Sequence, residues 1–456
     1  MSETIAAIST PFGEGAIAVL RLSGARAVEI AGAVFRGKKR LEEMAPRRQH
    51  FGTIFHGDRT VDEVLLTVFR APQSYTGEDV VEIAGHGGVL VARRVLEALL
   101  QGGARSAEPG EFTQRAYLNG KMDLTQAEAV MDLISAQTDL ALQAAGEQLA
   151  GRLGEHIRGL REALVELLAH VEAYIDFPDE DIDPATGEAL LAKLDAARSE
   201  IDALLATAER GKVLREGVRT VIYGAPNVGK SSLLNLLLGQ ERAIVSARPG
   251  TTRDVIEEVI NLRGLPLRLI DTAGVRVSDD EIERAGMDRT RQQVERADLV
   301  LHVVDASQPG GTGSCTSLTG SVGEKSDARE RVPPVVVLNK TDLGEHPSWR
   351  GVEGVRISCL KGAGVEALAE AIEARVRGGA QAHRDWSLAI NARHADCLRR
   401  ANGFADAARG ALTSGLSPEF VAEELRGALD AVGEIVGKAD SEEILGKIFS
   451  TFCIGK

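Results

Sequence analysis

The stretch Val218-Arg-Thr-Val-Ile-Tyr-Gly224-Ala-Pro-Asn-Val-Gly-Lys-Ser231 decides the fold. A mostly apolar strand, Val218–Tyr223, runs directly into the pattern Gly-x-x-x-x-Gly-Lys-Ser. Gly224 and Gly229 let backbone N–H groups turn inward around phosphates, and the following helix N-terminus adds positive potential. Lys230 can reach the β- and γ-phosphates, and the Ser231 hydroxyl can bind Mg²⁺. Asn227, Val228, Gly229, Lys230, Ser231 and Ser232 are therefore the candidate phosphate cradle.

The other parts of a guanine-nucleotide site follow in chain order. In Gly250-Thr251-Thr252, a hydroxyl, that of Thr252, can face Mg²⁺ once a γ-phosphate orders the loop. Pro266–Asp271 reads as a strand ending in an acid suited to a position near Mg²⁺, and Thr272, Ala273 and Gly274 complete a turn whose Gly274 N–H can sense the γ-phosphate. Leu299–Val304 and Val335–Leu338 read as two buried strands. The second leads into Asn339-Lys340-Thr341-Asp342, whose Asp342 carboxylate can accept from the two donors on a guanine edge. Adenine offers no such pair, which would leave the carboxylate unpaired. Ile357-Ser358-Cys359-Leu360-Lys361 occupies the place of the loop behind the base.

One catalytic part is missing. Ras-like proteins orient the attacking water with a glutamine just after the Asp-x-x-Gly turn. Here that position is Val275, which cannot hydrogen-bond water. Glu283, downstream in Asp279–Arg284, is either a water-positioning carboxylate or simply part of a solvated helix start.

Outward from this core the pattern changes twice. Residues 1–120 mix short β-like runs (Gly15–Leu22, Glu63–Phe69, Asp79–Ile83) with a helical stretch near Val89–Leu100, as in an α/β domain. From 121 to 215 apolar residues recur at steps of three or four: Leu149, Leu153, Ile157, Leu160, Leu164, Leu168, Val171 and Ile175, then Leu190, Leu194, Ala197, Ile201 and Leu204. The loop Phe177–Pro184 separates the two stripes, which predicts an antiparallel helical hairpin. Strand–loop–helix alternation fills 216–378, and helical periodicity returns over 379–456, with Ser417-Pro418 as cap and first helical residue. The expected architecture is α/β multidomain. A P-loop GTPase domain with a mostly parallel, Ras-like sheet is inserted in a discontinuous all-α domain, and a separate α/β domain precedes both. Ser307–Glu330, rich in Gly, Ser and Thr, reads as a flexible surface insertion.

The 456 residues carry a net charge of −14, which argues against coating nucleic acid by bulk attraction. A local basic patch remains open at Arg36-Gly-Lys-Lys-Arg40 with Arg47 and Arg48, the alternative being a solvated loop. Cys315, Cys359, Cys397 and Cys453 lie far apart with no CxxC pair, which suits a reducing cytosol and indicates no zinc site. No apolar run approaches the ~18–20 residues of a membrane span, and no basic leader opens the sequence. The expectation is a cytoplasmic protein with no membrane association.

Across nearly its full length the chain resembles the MnmE/TrmE family of tRNA modification GTPases. The residues that carry the resemblance are Thr76-Gly-Glu-Asp79, Gly85-His-Gly-Gly88, Pro109-Gly-Glu-Phe112, Asp176-Phe-Pro-Asp-Glu180, Gly250-Thr-Thr-Arg-Asp254 and Phe452-Cys-Ile-Gly-Lys456. The resemblance implies an N-terminal domain similar to folate-binding aminomethyltransferases and a homodimer formed through it. It also implies an FAD-dependent partner of the MnmG/GidA type, joining in a heterotetramer that acts on tRNA. Together they install a carboxymethylaminomethyl or aminomethyl group on C5 of the wobble uridine, using a one-carbon tetrahydrofolate (5,10-methylene or 5-formyl). By motif match the folate contacts fall on Arg21, Glu82 and Lys121, with Lys456 reaching over from the tail. Cationic side chains suit glutamyl carboxylates, and Glu82 suits the donors of a pterin ring.

The same resemblance implies K⁺ activation, the ion sitting where an arginine finger's charge would lie. Asn227 is then a K⁺ ligand with oxygens of Ser246, Arg248 (backbone) and Thr251, in the loop running through Ala247, Pro249 and Gly250. Cys453 is either a thiol activated by nearby Lys456 or a small filler under the folate pocket. Three features depart from the pattern: the Ser307–Glu330 insertion, Cys359 where alanine is common, and the stiffening Pro249. Two other readings stay open: a ribosome-assembly GTPase switch without modification chemistry, and a folate-dependent transferase with a decayed GTPase domain.

Overall fold

The structure is a computed structural model, described here over residues 3–176, 187–240, 258–270, 294, 297–310, 334–376, 388–437 and 442–456. It divides into two compact units. The first comprises Met1–Met131, Glu147–Ala203 and Arg393–Lys456; the second comprises Asp132–Gly146 and Leu204–Ala392. The nucleotide-site sequence thus lies between segments of a discontinuous first unit.

The first unit begins with a seven-stranded sheet: β1 (Ile5–Ile8), β2 (Ile17–Ser23), β3 (Phe35–Gly37), β4 (Gln49–His56), β5 (Arg59–Phe69), β6 (Val80–His86) and β7 (Arg105–Ser106), in the order β3-β4-β5-β6-β2-β1-β7. All neighbours are antiparallel except β1 and β7. Alternation sends Leu20, Leu22, Val64, Leu66, Val68, Val81 and Ile83 into the core under α1 (Ala27–Val34) and α2 (Val89–Gln101). The opposite face bears Arg21 and Glu82, which are direct partners in the β2–β6 register. Near β1 that face is covered by α3 (Glu111–Leu118), whose Phe112 packs with Ile5, Ala7 and Ala107.

The apolar stripes form α6 (Arg152–Asp176) and α7 (Gly187–Leu205), after α4 (Leu124–Ser135) and α5 (Asp139–Leu149). The first stripe does not make one helix. Leu149 ends α5, and the chain turns at Gly151 (φ +94°) before α6 begins. Hydrophobic period does not register that backbone break. Pairs Glu166–Lys193 and His156–Glu200 run in opposite directions along α6 and α7, the antiparallel arrangement expected.

Toward the C-terminus, α11 (Ala392–Thr413) and α12 (Pro418–Val436) follow, then a final helix, Glu442–Phe449. Asp195–Arg409 and Arg198–Asp406 set α7 against α11, Arg400–Glu434 sets α11 against α12, and Arg426–Glu172 returns from α12 to α6. The result is a four-helix arrangement around Leu153, Ile157, Leu160, Leu164, Ile201, Leu398 and Leu425. Ser417 and Pro418 stand at the N-cap and first turn of α12, as expected.

The second unit carries a six-stranded sheet of β8 (Val218–Tyr223), β9 (Glu258–Leu262), β10 (Leu265–Leu269), β11 (Leu299–Asp305), β12 (Val335–Asn339) and β13 (Val355–Arg356). Its order is β13-β12-β11-β8-β10-β9, parallel except for the edge strand β9. The helices α8 (Ala208–Glu216), α9 (Lys230–Gln240) and α10 (Val365–Val376) belong to this unit. So does the first part of α5: Leu140, Ala141 and Ala144 pack with Leu214 and Leu265. Most of the Ser307–Glu330 insertion lies outside the described residues; its start is fixed by Trp349 Nε1 donating to Gln308 O at 2.8 Å.

Candidate functional site

In an open parallel sheet, ligands bind beyond the carboxyl ends of the strands where the strand order reverses. Here that point is the end of β8, which lies between β10 and β11, with β12 next beyond β11, so Gly224, Asp305 and Asn339 come together. The loop over this point is built from backbone conformations that ordinary side chains avoid. Gly229 has φ +101° and Asn227 φ +61°. A Cβ on Gly229 would sit 2.2 Å from Asn339 Nδ2, and one on Gly224 would sit 2.2 Å from Val303 O. The glycines therefore permit both the turn and its close seating on the sheet.

α9 starts at Lys230, immediately after the loop. The Lys230 ammonium donates to Gly224 O at 3.0 Å and Ala225 O at 2.9 Å, lying over the cradle it would share with phosphates. Val228 is buried, whereas Asn227, Ser231 and Ser232 are exposed at the rim. A cradle of this shape, with a cation across its mouth, fits a polyphosphate and a hydroxyl-bound Mg²⁺.

The base side is assembled by three loops. Asn339 is buried, donates from Nδ2 to Val228 O at 2.8 Å, and accepts from Cys359 N–H at 3.1 Å. Ser358 Oγ donates to Asp342 Oδ1 at 2.6 Å, and this bond holds the Asp342 carboxyl below its usual range. Lys340, at φ +63°, is paired through its ammonium with Asp305 at 2.7 Å. Burial pushes the Cys359 thiol up to about 11, with the Asp342 charge adding to it, so it is a neutral packing group. Asp305, which fixes Lys340, was not singled out in the sequence; its position at the end of a buried strand was the available signal.

Ser246, Ala247, Arg248, Pro249, Gly250, Thr251, Thr252, Asp271, Thr272, Ala273, Gly274, Val275 and Glu283 lie outside the described residues. The expectations attached to them rest on the sequence.

A second cluster sits on the first unit. Arg21 donates from Nε to Glu82 Oε1 at 2.9 Å, so these two sequence candidates pair with each other. The Arg21 guanidinium lies 5.3 Å from the Tyr75 ring centroid and 5.7 Å from that of Phe112. Lys121 is exposed, and its ammonium donates to Pro72 O at 3.0 Å. The C-terminal tail reaches the same helix that supports Arg21. Phe112 N–H donates to Lys456 O at 3.2 Å, Gly110 N–H to Cys453 O at 3.4 Å, and Pro109 bridges Ile454. Cys453 itself is exposed.

A buried ionic network holds this region. Arg115 donates to Glu78 Oε2 at 3.0 Å, to Glu111 Oε1 at 2.9 Å and to Glu3 O at 2.9 Å. Ser23 Oγ reaches Glu78 at 2.7 Å. Burial alone would raise the Glu111 pKa, but bonds from Arg105, the Glu108 N–H and Arg115 bring it down to about 2. Two of the signature motifs, at Thr76–Asp79 and Pro109–Phe112, thus meet in one frame. Arg115 was missed in the sequence, although Glu111 and Arg115 stand at the i,i+4 spacing of a helical ion pair.

Fold and site together define a P-loop GTPase. Comparisons with known proteins narrow the class. The family model described as the MnmE helical domain matches residues 124–453, and that of the GTP-binding protein TrmE N-terminus matches residues 4–121. The tRNA modification GTPase MnmE of Akkermansia muciniphila is 51% identical over 459 residues, covering 99% of both chains. That of Aquifex aeolicus is 46% identical and covers 100% of both. The chain belongs to the MnmE family of tRNA modification GTPases. Among solved structures, the G domain of the T. maritima FeoB iron transporter matches 35% of this chain at 26% identity with a TM-score of 0.25.

Proposed function

We propose that this protein is a K⁺-activated GTPase that, with an FAD-dependent flavoprotein partner, adds a carboxymethylaminomethyl or aminomethyl group to C5 of the wobble uridine of tRNA. The observation that carries the reading is the seating of the tail: Phe112 N–H holds Lys456 O while the Phe112 ring faces Arg21. The backbone of the tail that carries Cys453 and Lys456 thereby lies against the Gly110–Phe112 segment, whose Phe112 ring meets Arg21, which supports a site shared by these residues.

Within this reading Lys230 and the loop N–H groups bind phosphates, Ser231 and Thr252 hold Mg²⁺, and Asp342 with Ser358 selects guanine. Asn227 would hold K⁺ with Ser246, the Arg248 backbone and Thr251; the ion supplies the positive charge an arginine finger would otherwise bring. Glu283 orients water in place of the glutamine that Val275 replaces. On the first unit, Arg21, Glu82, Lys121 and Lys456 would hold a tetrahydrofolate, which supplies the one-carbon unit when bound. Arg21, stacked over Tyr75 and Phe112, offers a preorganised carboxylate or ring-acceptor contact. A homodimer through this domain is supported by the outer sheet face, where Ile17, Phe51 and Leu65 are exposed together. No helix among the described residues is long and apolar enough to cross a membrane.

The test is mass spectrometry of wobble-uridine modification in a strain lacking this gene. Loss of the modification is expected; normal levels would favour a GTPase switch without modification chemistry. Equal GTP turnover in potassium and sodium buffers would remove K⁺ from the mechanism.

A further inference from the structure

The loop between β3 and β4 concentrates positive charge in a chain whose net charge is negative. Against a net charge of −14, the eleven residues from Lys38 to Arg48 contain Lys38, Lys39, Arg40, Arg47 and Arg48, with Glu42 and Glu43 as the acids. β3 and β4 are antiparallel, with Phe35 opposite Ile54 and Gly37 opposite Gly52. The chain leaves at Gly37 and returns at Gln49, which brings Lys38–Arg40 and Arg47–Arg48 to the same end of the strand pair. All five cations are exposed.

The loop is anchored. Leu41 and Met44 are 2% and 4% exposed and join the core beneath α1. Arg36, just before it, donates to the carbonyls of Ala33 and Phe35 and lies 6.0 Å from the Phe55 ring. Arg47 adopts φ +60°, a left-handed conformation that is uncommon outside glycine. It is held there by its N–H to Val68 O at 2.8 Å and its guanidinium to Gln73 O at 3.1 Å. Lys38, Lys39, Arg40 and Arg48 make no ion pair with a described carboxylate, and Glu42 and Glu43 do not neutralise them. A solvated loop has no reason to fix its backbone in a strained arginine or to leave its cations unpaired beside available acids.

We propose that this loop is a docking surface for the phosphodiester backbone of the tRNA substrate. The proposal rests on the tRNA reading above and adds a contact surface to it. Arginine-rich, rigid and without stacking aromatics at its tip, the loop suits backbone phosphates of a folded RNA, not unpaired bases. It would position the tRNA and carry no sequence information itself.

The test uses the full chain with an unmodified tRNA transcript. Dissociation constants are measured at 50 and 200 mM salt for the wild type and for Lys38→Gln/Lys39→Gln/Arg48→Gln. Removing the cations should weaken binding about tenfold at low salt and reduce the slope of log affinity against log salt by about 2. GTP turnover and thermal midpoint should stay unchanged. Glu42→Gln/Glu43→Gln should tighten binding, which mere loss of structure could not do. Unchanged affinity and slope in the triple variant would overturn the proposal, as would a wild-type chain with no tRNA affinity. So would lost binding to anionic vesicles with tRNA binding intact. These outcomes differ from failure of the wider reading, which is scored by wobble modification in the deletion strain.

Discussion

Asn339 ties the base loop to the phosphate loop: its Nδ2 donates to Val228 O at 2.8 Å from a site 2% exposed to solvent. Its Oδ1 accepts from Cys359 N–H, so one amide joins three separate segments. Asn339→Ala would leave the buried Val228 carbonyl and the part-buried Cys359 N–H unpaired, the first costing ~1–3 kcal/mol and the second less. GTP affinity should fall about 10–100-fold with thermal stability of the first unit unaffected. Titration with a fluorescent GTP analogue checks this, and an unchanged dissociation constant would show that the loops are held by other contacts.

Asp342 should decide which base is accepted. Ser358 Oγ already satisfies one lone pair at 2.6 Å and keeps the carboxylate ionised, leaving the other oxygen for a ligand's donors. Asp342→Asn replaces an acceptor by a donor. GTP should lose ~100-fold or more in affinity, and xanthosine triphosphate should gain relative to it. Retained preference for GTP in competition binding would mean that guanine is read elsewhere.

Much of this site could be read in the sequence because its geometry is local. Val218–Tyr223 is a strand and Lys230 opens a helix, so the intervening glycines could only form a turn. The same locality explains why Ser417-Pro418 marked a helix start correctly. What escaped was set by distant partners. Nothing near Leu140 in sequence announces that it packs beside Gly264, where an added Cβ would lie 2.6 Å from Leu140 Cδ1. Arg21 and Glu82 were both singled out, yet their pairing depends on β2–β6 register across 61 residues. The short strands Phe35–Gly37 and Arg105–Ser106 have too few residues to show any period.

The Glu111 network should govern the acid stability of the first unit. Its folded pKa of about 2 lies below its ordinary 4.5, so its contribution is full above pH 4.5 and disappears as pH falls toward 2. At 1.36 kcal/mol per unit this is on the order of 3 kcal/mol, for a side chain 9% exposed. Glu111→Gln should lower the thermal midpoint at pH 7 and flatten its dependence on pH between 4.5 and 2. A variant with the wild-type acid profile would place the acid-labile step at another carboxylate. Glu128, buried and held low by His394 and Arg393 against the opposing effect of its burial, is the first alternative.

The tail offers the sharpest separation of GTP turnover from modification. Gly455 has φ +96°, and a Cβ there would lie 2.6 Å from Ile8 O and 3.0 Å from Ser9 Cα. Both obstacles are backbone, so no rotamer change relieves them, and Gly455→Ala must lift the tail from the sheet. Ser9 Oγ to Gly455 O, and Phe112 N–H to Lys456 O, would be lost with it. Gly446 provides a matched control: it lies in the helix Glu442–Phe449 with nothing within 4 Å of an added Cβ, so alanine is tolerated there. Gly455→Ala should keep GTP turnover, lose wobble-uridine modification, and change the alkylation rate of Cys453, while Gly446→Ala should alter none of these. Because the two variants add the same methyl group, a difference between them measures tail position alone. Full modification by Gly455→Ala would mean that Cys453 and Lys456 act from no fixed position, and the folate-site reading of the tail would have to be abandoned.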